Sequence, residues 1–376
     1  MTTIRIYESY PTLLNSLLFL VFYTGIFSAY INTSLASLIL AIGILIIYIS
    51  KINLSLRELI IIPLLLIYLL ISIFMADNSI VPMQNFRFWL GIFIYLYLFR
   101  LFNVQNLINI FLFRILVFFV IGEVILINIF IDPWEIYTGP GSENFLFYNF
   151  YYRPMSFAGN ATLSVSILIV IFASINLNNY RTHWFDWLLI TFSVILFYST
   201  TGFILYFTFL IFKLIKLKVI KSLYIFYIFF ISIFIFIITF VYINFTINLD
   251  TTVFQKIHIN YLTRLFFSKL ESYMSYFYQL NEITMLLGGQ INSNSPATTG
   301  DHGWFIMLST IGILGMVIYF LNLILYLSKG NNQLFSIFLL FLATFHYPVA
   351  MTAAGQIILA IMLNNKGKDD SKKIKS

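Results

Sequence analysis

Arg153, Arg264, Asp301 and His302 are the residues whose types and surroundings point most directly to chemistry. Arginine is permanently charged and grips phosphate through a planar fork. An aspartate or histidine within hydrogen-bond reach of a hydroxyl can take its proton. Glu123, Glu135, Glu143 and Arg87 are secondary candidates. Each has an ordinary alternative. Arg153 and Arg87 suit interfacial anchors that reach lipid phosphate. Arg264 suits the solvated face of a surface helix, and Asp301 and His302 suit the charged start of a helix. Glu135 and Glu143 suit solvated loop carboxylates. The chain has no Cys, so thiolate nucleophiles, disulfides and Cys-based metal sites are excluded. It also lacks the G-x-x-x-x-G-K-[ST] phosphate loop of ATP hydrolysis.

The elements that must position these side chains follow from composition. Of 376 residues, 61% are hydrophobic and 9% charged, against about 25% charged in an ordinary soluble domain. Twelve crossings of about 20 residues would use roughly 240 residues, close to the hydrophobic total. The apolar runs are continuous, whereas barrel strands alternate apolar and polar positions. An all-α polytopic membrane protein is expected, with about twelve transmembrane helices in a single integral domain.

Apolar runs predict spans near 11–30, 34–50, 59–75, 87–99, 107–131, 157–176, 183–198, 202–215, 223–245, 304–327, 334–347 and 349–363. The N-terminal run reads as the first of these rather than as a cleaved signal. The seventh and eighth come from one run, divided at Ser199-Thr200-Thr201-Gly202 because a polar cluster with glycine favours a turn. Counting Lys and Arg by side puts fifteen of 21 inside if the N-terminus is inside, with five outside and Arg114 within a span. Both termini are therefore expected to be cytoplasmic. The lysines at 213, 216, 218 and 221, and the basic tail at 364–376, read as orientation signals and lipid contacts rather than as a nucleic-acid surface.

Two outer segments are long, 132–156 and 246–303, and both are rich in aromatics. Long connections are usually functional or disordered. Leu262, Leu265, Phe266, Leu270, Tyr273, Phe277 and Leu280 recur at helical spacing, predicting an amphipathic helix near 261–280 that shows Arg264 and Glu271 away from lipid. Residues 286–300 read as a flexible loop. Arg114 and Glu123 both fall within the fifth span, where charges are functional candidates by default. Nine residues apart, they stand on opposite helix faces and cannot pair with each other. Arg114 has a route to the inner surface by snorkelling, while Glu123 is expected to face the bundle. His346, beside Pro348 in the last turn between spans, reads as a satisfied structural histidine.

With these residues in place, the chain resembles the O-antigen polymerase and ligase superfamily. The resemblance rests on Arg264 in an outer helix, Gly288-Gly289 after it, a polar loop, then Asp301-His302 opening a span that contains Gly312 and Gly315. Arg153 in YYRPMSFAGNA resembles the first outer-loop arginine of the family. Ligases of the family carry His eleven residues before the first glycine of G-x-x-G; here that slot is Asp301. Asp301-His302-Gly303-Trp304 is similar to the D-x-G-aromatic pattern of its polymerases.

The resemblance implies a C-type membrane glycosyltransferase-like bundle in the bacterial inner membrane. It implies a polymerase that moves a growing glycan from undecaprenyl diphosphate to the terminal sugar hydroxyl of the next lipid-linked repeat unit. In that reading Arg153 and Arg264 hold the diphosphate, and Asp301, with His302 beside it, accepts the proton. One Arg–phosphate contact at 4 Å is worth on the order of 4 kcal/mol at an effective dielectric of about 20. The implied partners are the lipid-linked oligosaccharide, membrane lipid and a chain-length regulator protein, with no nucleic acid. Residues 31–33 hold no carboxylate where metal-dependent relatives place one, so neither a metal nor any cofactor is expected. A ligase passing glycan to lipid A core is the nearest alternative, and a lipid-linked oligosaccharide transporter is the next.

Overall fold

The computed structural model describes residues 11–27, 34–47, 67, 70, 91–101, 107–130, 147–148, 151–152, 154–177, 182–197, 199–216, 282–288, 303–326 and 333–364. The predicted spans at 59–75 and 223–245 lie outside these residues, apart from Ile67 and Leu70, and so does the predicted amphipathic helix at 261–280. The helices are α1 (Pro11–Ile26), α2 (Ser34–Ile47), α3 (Gly91–Leu101), α4 (Ile110–Ile125), α5 (Ala161–Leu177), α6 (Trp184–Phe197) and α7 (Thr200–Lys216). They are followed by α8 (Glu282–Leu287), α9 (Gly303–Tyr326), α10 (Leu334–Thr344) and α11 (Ala353–Leu363). Inside the first long outer segment, Phe147–Tyr148 and Tyr151–Tyr152 pair as a small antiparallel hairpin.

The architecture is helical and consistent with a helical membrane protein. Ile110–Ile129, with mean hydropathy 2.7, is the one helix among the described residues long and apolar enough to cross a bilayer alone. Phe19, Ile39, Phe118, Phe192, Phe207 and Leu321 are among many large apolar side chains left exposed on the outside of the bundle. Soluble proteins rarely leave so much apolar surface uncovered. The interior is built on two helices: every residue of α11 is buried, and fifteen of the seventeen residues of α5 are. The first packs against α1 and α3, the second against α4, α6, α7 and α10, and the two touch each other.

The polar break at Ser199 divides the seventh and eighth spans as expected. Helix α6 ends at Phe197 and α7 begins at Thr200, with Phe203 N–H bonded to Ser199 C=O at 3.0 Å. The tenth span differs from the single crossing expected over 304–327. Gly312 breaks α9 with φ 64° and ψ 178°. Trp304 and Phe320, sixteen residues apart, stack at 5.4 Å between ring centroids; a straight helix would part them by about 24 Å. The cause is the close approach of α8. A Cβ at position 312 would collide with the backbone of Leu286 and Gly288. The loop expected at 286–300 therefore begins later, since Leu286 and Leu287 close helix α8.

Besides contacts such as Tyr95 with Ser37 and Thr191 with Tyr206, several contacts between helices group into two ends. At one end lie Arg114 with Asp186, Lys213 with Asn176, Gln333 with Ser174, Tyr97 with Tyr326, and Asn364 with Leu96. At the other lie Glu123 with Met155 and Ser156, Thr162 with Ser199, Thr201 with His346, and Gly303 against Thr344 and Pro348. In each pair both members belong to the membrane side that an alternating path through the predicted spans gives them.

Candidate functional site

The second of these ends holds the candidate site. Its centre is the entry to α5. Asn160 caps that helix by accepting from Thr162 N–H at 2.8 Å, as a short amide side chain at an N-cap should. Before it, residues 154–160 form a tight turn in which Gly159 N–H reaches Ser156 C=O at 2.9 Å. Two side chains pin that turn. Glu123 Oε1 accepts from Met155 N–H at 2.8 Å and from Ser156 N–H at 3.0 Å. Ser164 Oγ donates to Met155 C=O at 2.7 Å and accepts from Ala158 N–H at 3.1 Å. Glu123 is only 8% exposed, and a buried carboxyl is tolerable when hydrogen-bonded donors surround it. Immediately after it α4 widens into a π-helical turn, Leu126–Phe130. Such turns often sit at functional positions.

Ser156 carries two costs at once. It has φ 61°, the left-handed region that side chains other than glycine avoid. Its hydroxyl is buried with no hydrogen-bond partner, against the general rule that buried polar groups are paired.

Further contacts tie the turns at this end of the bundle. Thr162 and Ser199 share a hydrogen bond at 3.0 Å, tying α5 to the start of α7. The hydroxyl of Thr201 meets His346 Nδ1 at 2.8 Å. Thr344 Oγ1 accepts from Ala350 N–H at 3.0 Å, and Thr352 caps α11 by accepting from Gly355 N–H at 3.1 Å, so the turn carrying His346 is cinched on both sides. Gly303 lies against that turn so closely that a Cβ would strike Thr344 C=O and Pro348. Glu123, His346 and the hydroxyls of this end are thus bonded to backbone or to one another.

Of the sequence candidates, Glu123 lies within the described residues and faces the bundle, as expected. Arg153, Arg264, Asp301, His302, Arg87, Glu135 and Glu143 lie outside them. Their described chain neighbours include Met155, two residues after Arg153, and Gly303, the residue after His302. His346 has a hydrogen-bonded partner, in keeping with its structural reading. Sequence reasoning missed Ser156, because nothing in a lone serine announces a left-handed backbone. Among the described residues no three of His, Asp and Glu gather in a group that could hold a metal ion.

The other end has a different chemistry. Instead of snorkelling, Arg114 grips Asp186 with two bonds, Nε to Oδ1 at 2.8 Å and Nη2 to Oδ2 at 3.2 Å. Asp186 is fully buried and also accepts from His183 N–H at 2.9 Å. Lys213 stands 3.7 Å from the centre of the Trp187 ring and donates to Asn176 at 3.0 Å.

Searches against family models, curated proteins and solved structures found no match for the chain.

Proposed function

We propose that this chain is an oligosaccharide repeat-unit polymerase of the cytoplasmic membrane, a metal-independent glycosyltransferase working at the outer face. It has about twelve crossings in a C-type-like bundle, with both termini inside. It transfers a growing glycan from undecaprenyl diphosphate to the terminal hydroxyl of the next lipid-linked unit. Arg153 and Arg264 hold the diphosphate, and Asp301, with His302 as its neighbour, takes the hydroxyl proton.

The observation that carries this reading is the meeting of Gly288 with Gly312. These are two elements of the motif series on which the family resemblance rests, 24 residues apart in the chain, and their backbones are in contact. The strained turn that follows Arg153 and the close packing of Gly303, the residue after His302, also support it. A bundle coated with exposed apolar side chains suits a lipid-linked donor. Purified protein given a defined lipid-linked repeat unit, with no nucleotide and no lipid A core, should build a ladder of products. Arg264→Ala should abolish the ladder at unchanged protein level. Product formed only when lipid A core is added would identify a ligase instead.

A lipid-linked oligosaccharide transporter is the second reading, favoured by the helix broken at Gly312, since broken helices are a transporter feature. Among the described residues, the charges within spans are committed to structure, Arg114 to Asp186 and Glu123 to backbone. Flux of intact lipid-linked units across vesicles without any ladder would favour it.

A further inference from the structure

Glu123 does work that neither a lipid-facing nor a solvated carboxyl could do. One oxygen collects two consecutive backbone N–H groups, those of Met155 and Ser156. The second of these belongs to the residue with the least favourable backbone described in the chain, the only non-glycine residue with positive φ among the described residues. Strained conformations of this kind persist where the surroundings over-determine them, and they gather at functional sites. Here the surroundings are identifiable: Glu123 holds the N–H side of the turn and Ser164 holds Met155 C=O. The turn is therefore set by side chains from two helices, α4 and α5, together with its own Gly159 at φ 74°.

We infer that Glu123 is a positioning residue: by clasping Met155 and Ser156 it holds the strained entry to α5, and so fixes the path of the chain that follows Arg153. This rests on the function proposed above, in which Arg153 holds diphosphate. Glu123 makes no contact with substrate in this role. It acts through the backbone, so its loss is repaired by any change that lets residue 156 take the same conformation unaided. Glycine adopts positive φ freely.

The test uses full-length protein in detergent and undecaprenyl diphosphate as the probe, with thermal unfolding measured in parallel. Glu123→Ala should weaken binding by roughly tenfold or more, the scale of one charge-assisted hydrogen bond. Glu123→Gln keeps a carbonyl acceptor and should stay within about threefold of the native protein by the same scale. Ser156→Gly added to Glu123→Ala should restore most of the lost affinity, an outcome not expected of a carboxyl that only touches ligand. Native affinity in Glu123→Ala, or no recovery on adding Ser156→Gly, overturns the inference. If Glu123→Ala does not fold, a tenfold loss in well-folded Glu123→Gln overturns it as well, and native-like binding by Glu123→Gln upholds it. Native protein that binds the lipid diphosphate but builds no ladder removes the polymerase reading and leaves the clasp to be judged by affinity. Native protein that does not bind it at all removes both.

Discussion

The two ends of the bundle treat charge in opposite ways. At the end of Arg114, Asp186 and Lys213, charged side chains are used up on one another, on an amide and on an aromatic ring. At the end of Glu123 and His346, the titratable groups hold backbone or a hydroxyl, and the chain carries strain at Ser156 and close backbone contacts at Gly303. A buried ion pair between helices fixes register. A carboxyl that clasps consecutive backbone N–H groups fixes the path of a turn. The first end reads as structure and the second as a site, although both place a charged residue of the same helix, α4, inside the apolar layer.

The largest expected effect tests whether the outer architecture depends on its glycines. Gly312→Val puts a β-branched residue at φ 64°, against the backbone of Leu286 and Gly288. The backbone penalty alone is about 1–2 kcal/mol, and the collision adds to it. The variant should fail to give a monodisperse peak in detergent gel filtration. Gly43→Val, at a glycine with open space around it, should behave as native in the same measurement.

Next in size is the ion pair between Arg114 and Asp186. Arg114→Ala strands Asp186, which is fully buried, while Asp186→Ala strands Arg114, whose side chain is 37% exposed. Breaking a buried pair costs roughly 3–5 kcal/mol. Partial exposure of the arginine puts this pair at the low end, about 3 kcal/mol for Arg114→Ala by the same reasoning and less for Asp186→Ala. Thermal unfolding should rank them in that order, and the double variant should recover part of the loss. Affinity for undecaprenyl diphosphate should not change in either variant that folds. A change there would erase the distinction between the two ends.

The contrast between the ends is half legible in the sequence. Arg114 and Glu123 stand out as charges in an apolar run, and the 3.6-residue period correctly keeps them from pairing. The partner of Arg114 is within reach of the same logic. An intramembrane arginine needs an acid at its own depth, and Asp186 sits at the matching end of the predicted seventh span. It escapes notice because an acid in the first turn of a helix has a ready dipole explanation. The Ser199 break follows from turn chemistry, which is local. The break at Gly312 does not, because a glycine within an apolar helix looks the same whether it packs loosely, as Gly43 does, or admits a neighbouring backbone. That neighbour, α8, lies far away in sequence. The clasp at Met155 and Ser156 is non-local too, joining residues 32 and 33 positions apart.

A smaller effect should appear where Thr201 meets His346. Thr201→Val removes the hydroxyl bonded to Nδ1 while keeping the shape, and one such bond is worth about 1 kcal/mol. Unfolding should shift by a few degrees at most. If the imidazole serves only to fasten the last outer turn to α7, His346→Gln, which can still reach the threonine, should unfold close to the native protein and build the same ladder. A lost ladder with native stability would move His346 from fastening into chemistry.

The smallest effect has the opposite sign. Ser156→Gly alone removes both the left-handed penalty and the unpaired buried hydroxyl, at the price of greater freedom in the unfolded chain. Relief of about 1 kcal/mol from the backbone and about 1 kcal/mol or more from the hydroxyl exceeds the roughly 0.5–1 kcal/mol that glycine loses in entropy. Net stabilisation of about 1 kcal/mol follows, read as a rise in the unfolding midpoint in detergent. The end that pairs its charges should give no such gain: Ser336 also has a buried hydroxyl without a partner, but it lies in the regular helix α10, where relief of about 1 kcal/mol from the hydroxyl is offset by the roughly 0.5–1 kcal/mol that glycine costs within a helix, so Ser336→Gly should be close to neutral. Stabilisation at 156 with no gain at 336 would locate stored strain at one end only. No gain at either would mean that Ser156 is held no more tightly than any buried serine, and the difference between the ends would reduce to where their charges happen to lie.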